Sequence, residues 1–344
     1  MSLDERRATS LLQDKETEER LEKLLAEGDC YPTHVVIHPT MVCNHRCGFC
    51  NYFHTLDEHE EKTGTVIQPT KAIEKRDMFR FLEEFEACRI KNLIISGGGD
   101  PLLHKDIRDI ILESLRFSYN KHMYTNLDFN LDGDMIGVLS KLSSVNVNIN
   151  TVDAELYKRT RGKNASIERI NYNVARLKDK ETTLSAVVIV RDDTIDSLEK
   201  TLESLDQQGF VSIVVAPSFD LEYQDNVRSS SQTIENLVRI REAIKRSKKI
   251  RMVKPVEEAV MNNGEVYCRT HYVDITIGAD YGVYPCCMTA YKEGYELVNL
   301  RGFASFTKGW NSPERKRKIG DLNFKCNTCW FGSANNQLLQ RGLK

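Results

Sequence analysis

Between residues 33 and 217 the hydrophobic positions switch period at regular intervals. Short β-branched runs at 34–38, 92–96, 121–125, 145–150, 184–190 and 211–215 alternate with amphipathic stretches at about 70–88, 104–117, 131–142, 166–178 and 194–208. Runs of that length predict strands, and the stretches between them, apolar every three or four residues, predict helices. Strands joined by helical crossovers run parallel, because a strand returning in the same direction needs a connection of a dozen or more residues. The six units are too few for a closed eight-stranded barrel. The expected fold is therefore α/β, a partial (β/α)6 TIM-like barrel open on one side.

The flanks follow other patterns. Residues 3–28 read as a charged helix with Leu11, Leu12, Leu21, Leu24 and Leu25 on its apolar positions. Residues 230–262 read as helical, with their charges on a solvated face. After Gly264 the chain changes to short strands and turns, and Tyr272–Ile277 with Tyr281–Cys286 reads as a β-hairpin. A loop with Trp310, a basic helix over Pro313–Lys318 and a last helix after Trp330 follow. This predicts an N-terminal helical segment (1–30), a core domain (31–255) and a small C-terminal β-hairpin/helix domain (256–344).

The chain has 48 basic and 50 acidic residues, a net charge of −2, which argues against bulk binding to nucleic acid or to an anionic membrane. No apolar run reaches the ~18 residues of a spanning helix. The charged start, Met1–Arg7, is followed by no apolar segment of a secretory signal. A cytoplasmic protein with reduced thiols is expected. Its 10 cysteines then call for a metal or redox role. Cys30 and Cys88 stand alone and read as packed thiols; the other cysteines fall into two groups.

The first group, Cys43-Asn44-His45-Arg46-Cys47-Gly48-Phe49-Cys50, follows the first strand. Three thiolates can hold three corners of an iron–sulfur cube and leave its fourth iron open. In parallel α/β folds the site forms at the C-terminal strand ends. Here those ends carry Ser96-Gly97-Gly98-Gly99-Asp100-Pro101, Tyr124-Thr125-Asn126, Asn148-Ile149-Asn150-Thr151 with Asp153, and Arg191-Asp192-Asp193. A Cys₃His zinc site using His45, His38 or His54 is the alternative.

The Cys43/Cys47/Cys50 spacing with Phe49 before the last thiol, followed by the Gly97–Pro101 segment, resembles the radical S-adenosylmethionine (SAM) superfamily. The resemblance implies a [4Fe–4S] cluster on these cysteines, with SAM binding the open iron through its amino and carboxylate groups. Gly97, Gly98, Gly99 and Asp100 would seat the methionine end of SAM; Asp100 stands where the family usually has Glu. Thr125 and Asn126 would reach the ribose or the carboxylate, Asn148, Asn150 and Asp153 the ribose side, and Arg161 or Arg191 the carboxylate. One electron from a flavodoxin- or ferredoxin-type donor would cleave SAM and release a 5′-deoxyadenosyl radical that abstracts hydrogen from a C–H bond.

The second group holds Cys268, Cys286, Cys287, Cys326 and Cys329. It resembles the twitch extension, the shorter relative of the SPASM domain, which carries seven cysteines. That implies one auxiliary [4Fe–4S] cluster on Cys268, Cys286, Cys326 and Cys329; Cys₄ zinc is the alternative. Cys286, beside Pro285, is the expected ligand, although Cys287 competes for the role. Cys287 would then be either an inert packed thiol or a hydrogen-atom donor to a substrate radical. The implied reaction is dehydrogenation or epimerisation of a small sugar- or aminocyclitol-like molecule, with the auxiliary cluster as electron relay. A peptide-modifying maturase or epimerase is the second reading, and a zinc-stabilised, non-catalytic binding protein the third.

Overall fold

The computed structural model describes residues 15–50, 52, 71–217, 238–240, 242–244, 250–253, 266–303, 305–321, 325–326 and 332–342. Leu11, Leu12, His54 and Cys329 lie outside them.

The strands β1 (His34–Ile37), β2 (Asn92–Ile95), β3 (Asn120–Thr125), β4 (Ser144–Asn148), β5 (Thr183–Val190), β6 (Ser212–Pro217) and β7 (Ile250–Val253) lie side by side in chain order, every neighbouring pair parallel. Alternation decides which face is which. Val35, Ile37, Leu93, Ile95, Met123, Val145, Val147, Ala186, Val188, Ile213 and Val215 are fully buried in one core with Phe81, Phe85, Ile110, Leu139, Ile170, Leu202 and Leu205 of the crossover helices. Each large side chain buried this way contributes about 1.5–3 kcal/mol. The opposite face carries Val36, Ile94, Val187 and Val214, with polar side chains toward the N-terminal ends of the strands. Asn92 bridges His34 (2.9 Å) and His122 (3.1 Å), His122 reaches Ser144 (2.8 Å), and Ser185 meets Ser212 (2.7 Å).

The crossover helices are Lys75–Ala87, Ile107–Ser114, Gly133–Leu139, Ile167–Leu177 and Leu198–Gln207. A further helix, Ala154–Arg161, precedes Ile167–Leu177 and was not expected, since its basic sequence hides the apolar period. Asp153 is its N-cap, accepting from the Leu156 N–H at 2.8 Å, and Gly162 ends it at φ +112°.

Two regions depart from the sequence-based picture. β7 lies where a charged helix is expected: its Ile250-Arg251-Met252-Val253 run is short and sits among lysines, and pairing with β6 overrides the charge pattern. The C-terminal hairpin does not form a sheet of its own. After β8 (Val266–Tyr267), β9 (Asp274–Ile277) pairs parallel with β1, and β10 (Gly282–Tyr284) and β11 (Val298–Asn299) extend that same sheet to ten strands. β8 pairs separately with β12 (Lys325–Cys326).

Trp310 closes a short helix, Phe306–Trp310, rather than a loop. Its indole N–H donates to the Cys30 carbonyl at 2.9 Å, and the Arg315 guanidinium lies 3.6 Å over its ring. Arg315, from the helix Pro313–Asp321, also pairs with both carboxylate oxygens of Asp29 at 2.8 and 2.7 Å. The N-terminal helix Lys15–Glu27 buries Leu21 and Leu24 against Cys30, Val273 and Leu338 of the C-terminal helix Gly332–Gln340.

Candidate active site

The first cysteine loop and the glycine run are built against each other. The N–H of Gly99 donates to the Thr40 carbonyl and that of Asp100 to the Val42 carbonyl, both at 2.9 Å. The approach leaves no room for side chains. A Cβ on Gly97 would fall 1.4 Å from the Gly99 carbonyl oxygen, and one on Gly99 would fall 2.0 Å from that of Val42. Glycine is required here by close approach rather than by backbone angle.

Asp100 is buried, and its carboxylate is fully engaged by the chain. It accepts from the Thr125 hydroxyl (2.9 Å), the Asn126 N–H (2.8 Å) and the Leu102 N–H (3.0 Å). Burial pushes the carboxyl up, against the pull of these donors. Thr125 also accepts from the Leu127 N–H at 3.0 Å, and Leu127 takes φ +55°, which turns the chain sharply after β3. The Asn126 amide donates to Asn44 inside the cysteine loop at 2.8 Å, and Asn44 donates to the Asp128 carbonyl at 2.9 Å. Asp100, Thr125 and Asn126 thus tie the second and third strand ends to the cysteine loop.

Cations collect around Cys47. Arg161 donates to its sulfur at 3.4 Å and to Asn150 Oδ1 at 2.7 Å, and its other near contact is the Asn148 carbonyl at 3.5 Å. The Arg161 guanidinium lies 5.0 Å from the Phe49 ring centre and that of Arg191 5.3 Å, so two cations share one ring. Arg191 also donates to Asp193 at 3.1 Å. Behind Cys47, buried His45 pairs with buried Asp128 at 2.8 Å, and Asp128 accepts further from the Ser166 N–H and from Arg169. Burial opposes charge on His45, but Asp128 holds its pKa above the usual value; the same bonds hold Asp128 below its own. Burial alone would raise the Cys47 thiol; Arg161 and His45 override it and draw it down, whereas burial pushes Cys43 up to about 12. His45, open to a zinc role on sequence, directs Nε2 to Asp128.

This donor set fits an iron–sulfur cluster with SAM. Three half-buried thiols share one loop, and the Cys47 thiol is drawn toward thiolate. Beside them runs a backbone that no Cβ can cover.

In the C-terminal group, Cys268 is buried, and burial raises its pKa against the Thr270 hydroxyl and the backbone N–H groups of His271 and Thr270. β12 sets Cys326 opposite Val266, two residues before Cys268. Cys286 and Cys287 are half-buried; the Cys286 N–H donates to the Thr289 hydroxyl at 3.3 Å. Burial holds the Tyr52 hydroxyl well above its usual value, and the charges of Cys287, Tyr291, Cys50 and Cys286 add to it.

Asp128, Tyr52 and Tyr291 lie around this loop without having been singled out by the sequence, and His38, open to a zinc role on sequence, bonds Tyr291 instead. Asp128 lies just past the polar end of β3, a signal within reach. Nothing in the order of residues points to Tyr291, which arrives from the hairpin side.

The model of the Radical SAM superfamily matches residues 37–205. Two proteins described as probable GTP 3′,8-cyclases are similar to the chain. The one from Archaeoglobus fulgidus is 24% identical over 210 residues and the one from Methanopyrus kandleri 25% over 217, which is 56% and 60% of this chain. The chain spans 64% and 66% of their lengths. Among solved structures, Streptococcus suis SuiB bound to its precursor peptide SuiA superimposes with a TM-score of 0.66 at 14% identity, covering 94% of this chain and 77% of that one. The protein anSMEcpe with bound AdoMet gives 0.61 at 13% identity, covering 90% and 99%. At such identities these structures share the fold.

Proposed function

We propose, on the premise that residues 37–205 form a radical SAM domain, that this chain is an oxidoreductase that removes a hydrogen atom from a C–H bond of its substrate. The observation that carries this reading is the three-thiol loop with Arg161 on Cys47, whose leading residues Thr40–Val42 pack against a backbone that glycine alone permits. When bound, a [4Fe–4S] cluster and SAM supply a 5′-deoxyadenosyl radical for that abstraction, fed by a flavodoxin- or ferredoxin-type donor.

The chain's own residues bind and orient. Cys43, Cys47 and Cys50 are the cluster ligands. Arg161 steadies the Cys47 thiolate and, with Arg191, flanks Phe49 at the carboxylate side of SAM. Gly97, Gly98 and Gly99 seat its methionine end, while Asp100, Thr125 and Asn126 hold that seat in register with the loop. Asn148 and Asn150 stand on the ribose side. Asn150 keeps its amide nitrogen buried and without a partner among the described residues, a donor available to a ligand. Cys268, Cys286, Cys326 and Cys329 hold the auxiliary cluster as an electron relay, with Cys287 as a candidate hydrogen-atom donor.

For the substrate, the nucleotide named for both curated relatives favours a small sugar-bearing molecule, in a dehydrogenation or an epimerisation. A peptide substrate is the second reading. It is favoured by the 94% coverage of the chain by the SuiB fold, solved with a precursor peptide. Anaerobically reconstituted protein is expected to bind about eight irons with two clusters and about four with one, and to form 5′-deoxyadenosine from SAM under reductant. A colourless, zinc-containing protein that leaves SAM intact refutes the reading. Comparing sugar-bearing molecules with peptides for substrate-stimulated 5′-deoxyadenosine separates the two substrate classes, and solvent deuterium at the product carbon marks epimerisation.

A further inference from the structure

A small apolar cluster sits apart from the main core. It joins buried Met41 and Ala279 to the rings of Tyr52 and Tyr291. Met41 and Tyr52 flank the three-cysteine loop, whereas Ala279 and Tyr291 belong to the hairpin side. His38, just past β1, lies among the rings: its centre is 5.1 Å from that of Tyr52 and 5.8 Å from that of Tyr291, and the two tyrosines are 5.8 Å apart.

The Tyr291 hydroxyl accepts from the Ala279 N–H at 3.1 Å and lies 3.0 Å from His38 Nδ1. The other His38 nitrogen is 3.4 Å from the Tyr52 hydroxyl. Tyr291 takes φ +67°, a left-handed backbone that bulky side chains adopt only where their surroundings enforce it. Its ring is directed toward Gly98. A Cβ built there would lie 2.0 Å from Met41 Sδ and 2.8 Å from the Tyr291 hydroxyl. The space beside the middle glycine of the run is therefore filled by Met41 and by a tyrosine delivered by the C-terminal region, which leaves no room for a side chain there.

We propose that Tyr291 is a positioning residue for the SAM seat. Its hydroxyl, bearing on Gly98 and braced by His38 and Ala279, sets the height of the Gly97–Gly99 backbone against the cysteine loop. The hairpin is then a working part of SAM binding as well as a carrier of auxiliary cysteines. This rests on the assignment of the glycine run to SAM.

Tyr281 supplies a matched control. It has φ +71°, and its hydroxyl also accepts a backbone N–H (Glu74, 3.0 Å) and bonds a side chain (Asp77, 2.8 Å), but it serves the helix Lys75–Ala87 instead. SAM affinity of the reconstituted full chain is measured by equilibrium dialysis, alongside the thermal midpoint. Y291F is expected to weaken SAM binding about tenfold, the scale of one buried hydrogen bond. Y281F is expected to lower the midpoint comparably while keeping the SAM dissociation constant within about twofold. H38N, which removes the brace from the other side, is expected to weaken SAM binding as well and covers the case in which Y291F does not fold. Unchanged affinity in Y291F or, if it does not fold, in H38N overturns the proposal, and so does equal weakening in Y281F. If the wild-type chain itself binds no SAM, the assignment of the glycine run falls first.

Discussion

The two cysteine regions settle their polar groups in opposite ways. Around Cys43–Cys50 the fold brings in charge from a distance: Arg161 contacts Cys47, and a buried His45–Asp128 pair stands behind it. The histidine beneath this region, His38, has a partner on each ring nitrogen. Around Cys268 the help is local, from the Thr270 hydroxyl and the N–H groups of Thr270 and His271, and burial still raises the thiol. His271 is equally buried, yet neither ring nitrogen has a partner among the described residues. At the first site Arg161 and His45 draw Cys47 down, although burial still holds Cys43 up; at Cys268 the donors are near in sequence and burial prevails.

Several substitutions break or sharpen this contrast. The largest effect belongs to the ligands. C47S is expected to abolish 5′-deoxyadenosine formation, whereas C268S is expected to retain it and lose only the auxiliary iron; iron content and SAM turnover read both. Next is the buried pair. D128N removes the buried carboxylate that His45, Arg169 and the Ser166 N–H share, and urea unfolding is expected to show a loss of about 3–5 kcal/mol. An equal result from removing the Thr270 hydroxyl would erase the distinction between the regions.

Arg161 comes third. In metal-free protein, R161Q is expected to raise the Cys47 pKa, with slower alkylation of Cys47 at neutral pH. In the loaded protein it is expected to weaken cluster retention about 10–100-fold. R161K should recover part of both, since it keeps the charge and loses the fork.

The smallest effect per unit of change is the pH response. Burial pushes His38 and His271 down to about 3 from an unfolded value near 6.5. Below pH 6.5 the unfolded chain binds protons that the folded chain refuses. The stability from these neutral histidines is therefore present above 6.5 and lost as pH falls toward 3, at about 1.4 kcal/mol per pH unit for each. Urea midpoints at several pH values test this. H271N and H38N should each flatten the slope. H271N is expected to cost little at pH 7, since it removes an unpartnered ring, and H38N to destabilise there, since it removes a partnered one.

Much of this architecture is readable along the chain. Six parallel strands and their main crossovers follow from runs such as Thr183–Val190 and Ile167–Leu177, whose burial shows in their period. β7 and the helix Ala154–Arg161 escape because Arg251, Lys158, Arg159 and Arg161 obscure that period, and contact with neighbours decides the outcome. At the site, Cys43, Cys47, Cys50 and the glycines are identifiable because their spacing is local. That Asp100, Thr125 and Asn126 engage one another is not, because hydrogen bonding between strand ends depends on register.

Sequence by itself therefore determined the cysteine spacing, the polar and glycine residues at the strand ends and the parallel frame, all products of short-range spacing and of hydrophobic period. Tertiary structure alone decided which cation meets Cys47, across 114 residues, and which tyrosine reaches His38, across 253. The physical reason is that charge and packing act through distance in space, and the closing of the sheet around β1 makes near neighbours of residues the chain keeps far apart.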